Sequence, residues 1–154
     1  MRIGVISDTH GHLDPRVREL FQGVDHIFHA GDIGYASLVL DLEEIAPVTA
    51  VLGNNDDPGT EFREIEIVEL GGRKFLLHHI VDPLQPSERL QQAFLHHAPD
   101  VVVFGHTHKT FHEVIEGRLY FNPGYAGKAR EGAVRTVAVL SLEPSAIEVD
   151  YLEL

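Results

Sequence analysis

The sequence contains no cysteine, which removes disulfides, thiolate metal sites and cysteine nucleophiles in one step. Any metal ion must be held by nitrogen and oxygen ligands. No stretch approaches the roughly 20 apolar residues that cross a bilayer. The apolar run after Met1-Arg2, Ile3 to Ile6, is too short for a signal peptide and leads straight into acidic and histidine residues of functional type, so a cytoplasmic location is expected. Positive charge is scarce: 12 Lys and Arg against 24 Asp and Glu give a formal net charge of −12. Nonspecific nucleic-acid affinity comes mainly from Lys and Arg displacing counterions on phosphates, so neither strong nucleic-acid binding nor membrane attachment is expected. Bound divalent cations can still reverse the potential inside a cleft.

What is present fits a single domain over residues 1–154, since 44% apolar content at this length supports a continuous core. Apolar runs with β-branched residues at 2–7, 26–30, 48–52, 74–78 and 100–104 read as strands. Helix-like segments lie between them at 14–22, 35–45 and 87–96. Pro15 follows an N-cap at Asp14, and Ser87 with Glu88 opens the third helix. This alternation specifies an α/β layered fold. After Gly105 only strands follow, at about 110–115, 119–121, 134–142 and 146–152. Ile147, Val149 and Tyr151 alternate with Glu148 and Asp150 as in a half-buried antiparallel strand. The C-terminal third is therefore expected to form a second, largely antiparallel sheet packed on the first.

Five apolar runs end in residues able to bind metal: Asp8-Thr9-His10, Gly31-Asp32, Gly53-Asn54, His78-His79 and Gly105-His106-Thr107-His108. In open α/β sheets, ligands bind beyond the carboxyl ends of the strands, so these termini converge on one crevice. In an extended segment residues i and i+2 point to the same side, which pairs Asp8 with His10 and His106 with His108. The resulting set is Asp8, His10, Asp32, Asn54, His78, His106 and His108. One ion takes about four to six ligands, so seven groups with a carboxylate able to bridge suit two divalent ions. Mixed imidazole and carboxylate sites accept manganese, the first expectation here, and also iron, zinc, nickel or cobalt.

In these blocks the chain resembles the calcineurin-like metallophosphoesterase superfamily, in its small bacterial and archaeal phosphodiesterase-like branch, whose pattern is D-x-H, G-D, G-N-x-D/E, H and G-H-x-H in this order. Gly53-Asn54-Asn55-Asp56 fills the third block, and Asn122-Pro123-Gly124 looks like a segment that often follows. The resemblance implies a two-sheet αββα sandwich flanked by helices. It implies one metal on Asp8, His10, Asp32 and His108, another on Asp32, Asn54, His78 and His106, and Asp32 as the bridge. The implied chemistry is hydrolysis of a small phosphate ester, a diester foremost, by attack of a metal-bridging hydroxide.

Two positions depart from the pattern. Asn55 stands where many members carry a histidine proposed to bind phosphate or protonate the leaving group. His79 stands where glycine is usual, His78 keeping the ligand position. Asn55, Asp56 and His79 are thus candidates for supporting catalytic roles, Asp56 by orienting a neighbour. His29 is expected to pack or hydrogen-bond behind the site and His96 and His97 to face solvent; Tyr35, Phe62 and Tyr125 are candidates for lining the pocket, with core or rim the commoner place for each. The alternatives to a hydrolase are a non-catalytic protein-interaction scaffold of the same fold and a nuclease. Homo-oligomers are compatible with the sequence.

Overall fold

A computed structural model describes all 154 residues. The first half of the chain runs β1 (Arg2–Ile6), α1 (Val17–Leu20), β2 (His26–His29), α2 (Ser37–Glu43), β3 (Val48–Ala50), β4 (Ile65–Leu70) and β5 (Arg73–His78). The second half runs α3 (Glu88–His97), β6 (Val101–Val103), β7 (Thr110–Ile115), β8 (Arg118–Pro123), β9 (Thr136–Leu142) and β10 (Ile147–Glu153). Two five-stranded mixed sheets result, ordered β10-β9-β1-β2-β3 and β4-β5-β6-β8-β7.

The C-terminal third does not form a sheet of its own. β9 and β10 return to the first sheet, where β9 pairs antiparallel with β1, while β7 and β8 extend the sheet that holds β5 and β6. The reason is that β1 is covered on both faces and has an open edge opposite β2, and an unpaired buried edge is costly. β9, Thr136-Val137-Ala138-Val139-Leu140, is apolar enough on both faces to fill that central place.

β4 is an element that the strand pattern of the sequence left out. Its hairpin with β5 turns through Gly71 and Gly72, both with positive φ, as a two-residue primed turn requires. α1 is shorter than the expected 14–22. Asp14 is held by its neighbours instead of capping a long helix: it accepts from the Arg16 backbone and guanidinium and from the buried Arg135. These bonds, the Arg16 side chain foremost, hold its carboxyl well below the usual range. Ser87 caps α3 as expected, accepting from the Leu90 N–H.

Side-chain alternation sorts each strand between three apolar layers. Ile3, Val5 and Phe28 meet Phe75, Leu77, Val103 and Phe121 between the sheets. Ile6, Ile27 and Val139 face α1 and α2 through Val17, Phe21, Leu38 and Leu42. Leu76, Val102 and Tyr120 face α3 through Leu90. The order is helix, sheet, sheet, helix, the α/β sandwich expected. No helix is long and apolar enough to cross a membrane.

Candidate metal centre

The alternation along β5 decides which histidine reaches the seam between the sheets. Phe75 and Leu77 point inward and Leu76 outward, so the next inward position is 79. The structure follows this parity: His79 is buried, with its Nε2 3.8 Å from Asp8 Oδ1 and 3.4 Å from Asp32 Oδ2. His78, expected as the ligand, turns away and hydrogen-bonds through Nδ1 to the Glu64 carbonyl at 2.7 Å. His79 therefore stands at the seam where His78 was expected, and His78 stands away from it.

Six of the other predicted residues gather around this point. His108 Nε2 lies 3.1 Å from Asp8 Oδ1 without the alignment of a hydrogen bond, and His10 Nε2 lies 3.8 Å from Asp32 Oδ2. The His106 ring packs edge-on against His79 at 5.4 Å and its Nδ1 is 3.0 Å from Asn54 Oδ1. Two triads, Asp8-His10-His108 and Asp8-Asp32-His79, each bring their ligating atoms within 4.8 Å. Asp8 and Asp32 thus both stand between a His10-His108 pole and a His79-His106-Asn54 pole.

The convergence does not come from extended segments. Asp8, His10, Asp32, His106 and His108 all have positive φ, between 47° and 66°, a region that non-glycine residues enter at a cost of order 1–3 kcal/mol each. The side chains are turned together by left-handed kinks after the strands, where sequence spacing suggested a straight i, i+2 face. Gly105 is needed for this packing: a Cβ there would run into Ser7 and Asp8 Oδ2.

The surroundings fix each ligand atom. Asp8 Oδ2 accepts from the Ser7 hydroxyl at 2.7 Å and the His106 N–H at 3.1 Å, which turns Oδ1 into the site. His79 Nδ1 is 2.6 Å from the Ala30 carbonyl; a carbonyl only accepts, so Nδ1 carries the proton and Nε2 presents a lone pair. Three buried side-chain N or O atoms lack a hydrogen-bond partner, and two of them are Asp8 Oδ1 and this Nε2. A lone pair and a carboxylate oxygen facing each other in a buried place repel unless a cation lies between them. The donor set therefore fits a divalent ion.

Asn55 and Asp56 have structural duties here. Asn55 donates to both Asp32 oxygens, from its backbone at 2.9 Å and its amide at 2.7 Å. Burial pushes the Asp32 carboxyl up, but these bonds, with His79 and His10 nearby, bring it below the usual range. Asp56 accepts from the N–H groups of Ile33, Gly34 and Gly53, tying the loop after β2 to the loop after β3.

His29 lies behind the site, as expected. The Gly31 N–H donates to its Nδ1 at 3.3 Å, so Nε2 carries the proton toward Thr9 Oγ1 at 2.9 Å, and Thr9 donates on to the Ile33 carbonyl. Burial pushes this imidazole down to about 3. A base depressed on folding contributes stability that is complete above its unfolded pKa of about 6.5 and is lost as pH falls toward the folded value. Between pH 6.5 and 4 the metal-free protein should accordingly lose about 1.4 kcal/mol per unit to His29 alone, with His26 and His78, also lowered by burial, adding to the slope. NMR of the imidazoles checks the assignment: a His29 ring that titrates near 6 would contradict it.

A family model described as the calcineurin-like phosphoesterase superfamily domain matches residues 1–145. The chain belongs to the calcineurin-like phosphoesterase superfamily. Within it, a probable metallophosphoesterase of Methanothermobacter thermautotrophicus is 36% identical over 135 residues, covering 80% of this chain and 76% of the relative. A phosphodiesterase of Methanocaldococcus jannaschii is 30% identical, covering 93% of this chain and 94% of the relative. Among solved structures, an archaeal phosphodiesterase superposes with a TM-score of 0.79 at 28% identity over the full length of both chains. Vps29 of Entamoeba histolytica with Zn2+ superposes at 0.75 with 22% identity over 99% of each chain and attests the fold alone.

Membership in the calcineurin-like superfamily identifies a hydrolase of phosphoesters that uses divalent metal ions. Tyr125, weighed between pocket lining and core or rim, is buried with its ring 4.8 Å from that of His108 and 6.2 Å from that of His10. Arg130 lies 2.6 Å from His108 Nδ1; it belongs to no block of the pattern, and only the fold brings it there.

Proposed function

We propose that the protein is a two-metal phosphodiesterase, acting on a small phosphate ester at the seam between its sheets. The observation that carries the reading is the pair of unpartnered buried atoms, Asp8 Oδ1 and His79 Nε2, held toward each other by bonds on their far sides. His10, His108, Asp8 and Asp32 would hold one ion. Asp32, Asn54, His79 and His106 would hold the other, with His79 in the place that the sequence pattern gave to His78. Two divalent ions in such a site supply Lewis acidity toward phosphoryl oxygens and lower the pKa of water.

The chain's own contribution is preorganisation. Asn55 holds the Asp32 carboxylate through both oxygens, Asp56 locks the two loops that bear Asp32 and Asn54, and the Ala30 carbonyl fixes the tautomer of His79. Such outer partners typically contribute about 10–100-fold in metal affinity or activity. The preference for diesters is favoured by the likeness to phosphodiesterases along nearly the whole chain.

Elemental analysis of protein loaded with manganese should give two ions per chain, and Asp32→Ala should lower occupancy of both. Hydrolysis of bis(nitrophenyl) phosphate by the loaded protein is expected to exceed that of the nitrophenyl monoester. A single ion in fully active protein overturns the two-metal reading, and a faster monoester reaction overturns the diester preference.

A further inference from the structure

Next to the His10-His108 pole, the residues after β8 form a platform for a cation. Tyr125 donates its hydroxyl to the Lys128 carbonyl at 3.1 Å, which closes a turn beneath its ring. The exposed guanidinium of Arg130 lies 4.2 Å from the centre of that ring, in cation–π contact. Its Nη2 reaches His108 Nδ1 at 2.6 Å.

That last contact fixes a tautomer. A guanidinium only donates, so His108 Nδ1 is the acceptor and the ring proton is on Nε2, the nitrogen nearest Asp8 Oδ1. Nε2 cannot hold this proton and also act as a metal ligand. When Nε2 becomes a ligand, the proton belongs on Nδ1, where it opposes both the N–H and the charge of Arg130. Arg130 then loses its acceptor on His108 but keeps its seat on Tyr125. A guanidinium with open donors beside a phosphoester site is matched in geometry and charge by phosphoryl oxygens. The same segment, through Gly132 and Val134, walls a cleft of about 510 Å³ whose other side is Thr107, His108, Lys109 and Thr110. An organic group of the ester has room there.

We propose that Arg130 is a substrate-positioning residue that exchanges His108 Nδ1 for a non-bridging phosphoryl oxygen when the site is loaded. The inference rests on the phosphoesterase reading above. It assigns to Arg130 no metal and no proton transfer.

The test uses zinc-loaded full-length protein, with inorganic phosphate as the probe in calorimetric titration and elemental analysis alongside. Arg130→Ala should retain the ion content of the wild type and weaken phosphate binding about 10–100-fold, as loss of a hydrogen bond to a charged group implies. Arg130→Lys should recover part of the loss. With substrate, KM should rise in Arg130→Ala more than kcat falls. Nitrogen-15 NMR should show the His108 proton on Nε2 in metal-free protein and on Nδ1 after zinc is added. Unchanged phosphate affinity in a fully loaded Arg130→Ala overturns the role of Arg130 alone. A loaded wild type that neither hydrolyses phosphate esters nor binds phosphate overturns the phosphoesterase reading itself.

Discussion

His79→Ala should reduce metal-dependent phosphoester hydrolysis by more than about 10²-fold, since loss of even an outer partner of a ligand costs up to that much. It should also leave the protein short of one ion per chain. His78→Ala, one residue away, should keep both ions and most of the activity, because its ring leaves the seam to bond the Glu64 carbonyl. The contrast is large because β5 alternates: residue 79 shares the inner face with Phe75 and Leu77, and residue 78 shares the outer face with Leu76. Far-UV circular dichroism and ion counts on both variants make the comparison clean. Loss of an ion in His78→Ala with full occupancy in His79→Ala would reverse the assignment.

A leaving-group series should show the second large effect. Every imidazole that lines the seam, on His10, His79, His106 and His108, is proposed above as a metal ligand, and His29 is buried behind Thr9. Asn55, where many relatives of the pattern have histidine, is committed to Asp32 and has no acidic proton at neutral pH. The leaving oxygen must then depart as an anion or take a proton from water. Nitrophenyl esters should therefore outrun alkyl esters of the same phosphate by the leaving-group difference plus the missing general acid, which is worth about 10²–10⁴-fold. Asn55→His should narrow the gap by accelerating the alkyl ester selectively. Nearly flat rates across the series, with chemistry rate-limiting, would reveal an acid already in place.

The sequence marked the places where the chain stops being strand, and that was enough to name six of the residues that meet at the seam, Asp8, His10, Asp32, Asn54, His106 and His108. It was legible because these polar residues follow apolar runs that have to end at one edge of the layers. The choice between His78 and His79 was also encoded, in the parity of Phe75, Leu77 and residue 79, but the family pattern pointed to the first histidine of the pair. The path of β9 was not legible locally: whether an apolar strand joins β1 or β8 depends on which buried edge is vacant, a property of the assembled sheets. The left-handed kinks at Asp8 and His10 were equally hidden, since Asp and His enter that region more readily than most non-glycine residues but still only rarely, too weak a preference to mark a kink. Arg130 could be found only in three dimensions, 22 residues from its partner His108.

The place of β1 has a consequence for how the chain is made. Arg2 pairs with Ser141 across the sheet, so β1 waits for a strand translated 139 residues later. At typical rates of about 5–20 residues per second, that interval is on the order of 10 s. During it β1 can be sheltered on one edge by β2 but keeps the other bare, and Asp8 has none of the partners that His106 and His108 will bring. The residues that meet at the seam are all present once His108 has been made, but the unfinished edge of β1 is the surface that a chaperone would have to cover until β9 arrives.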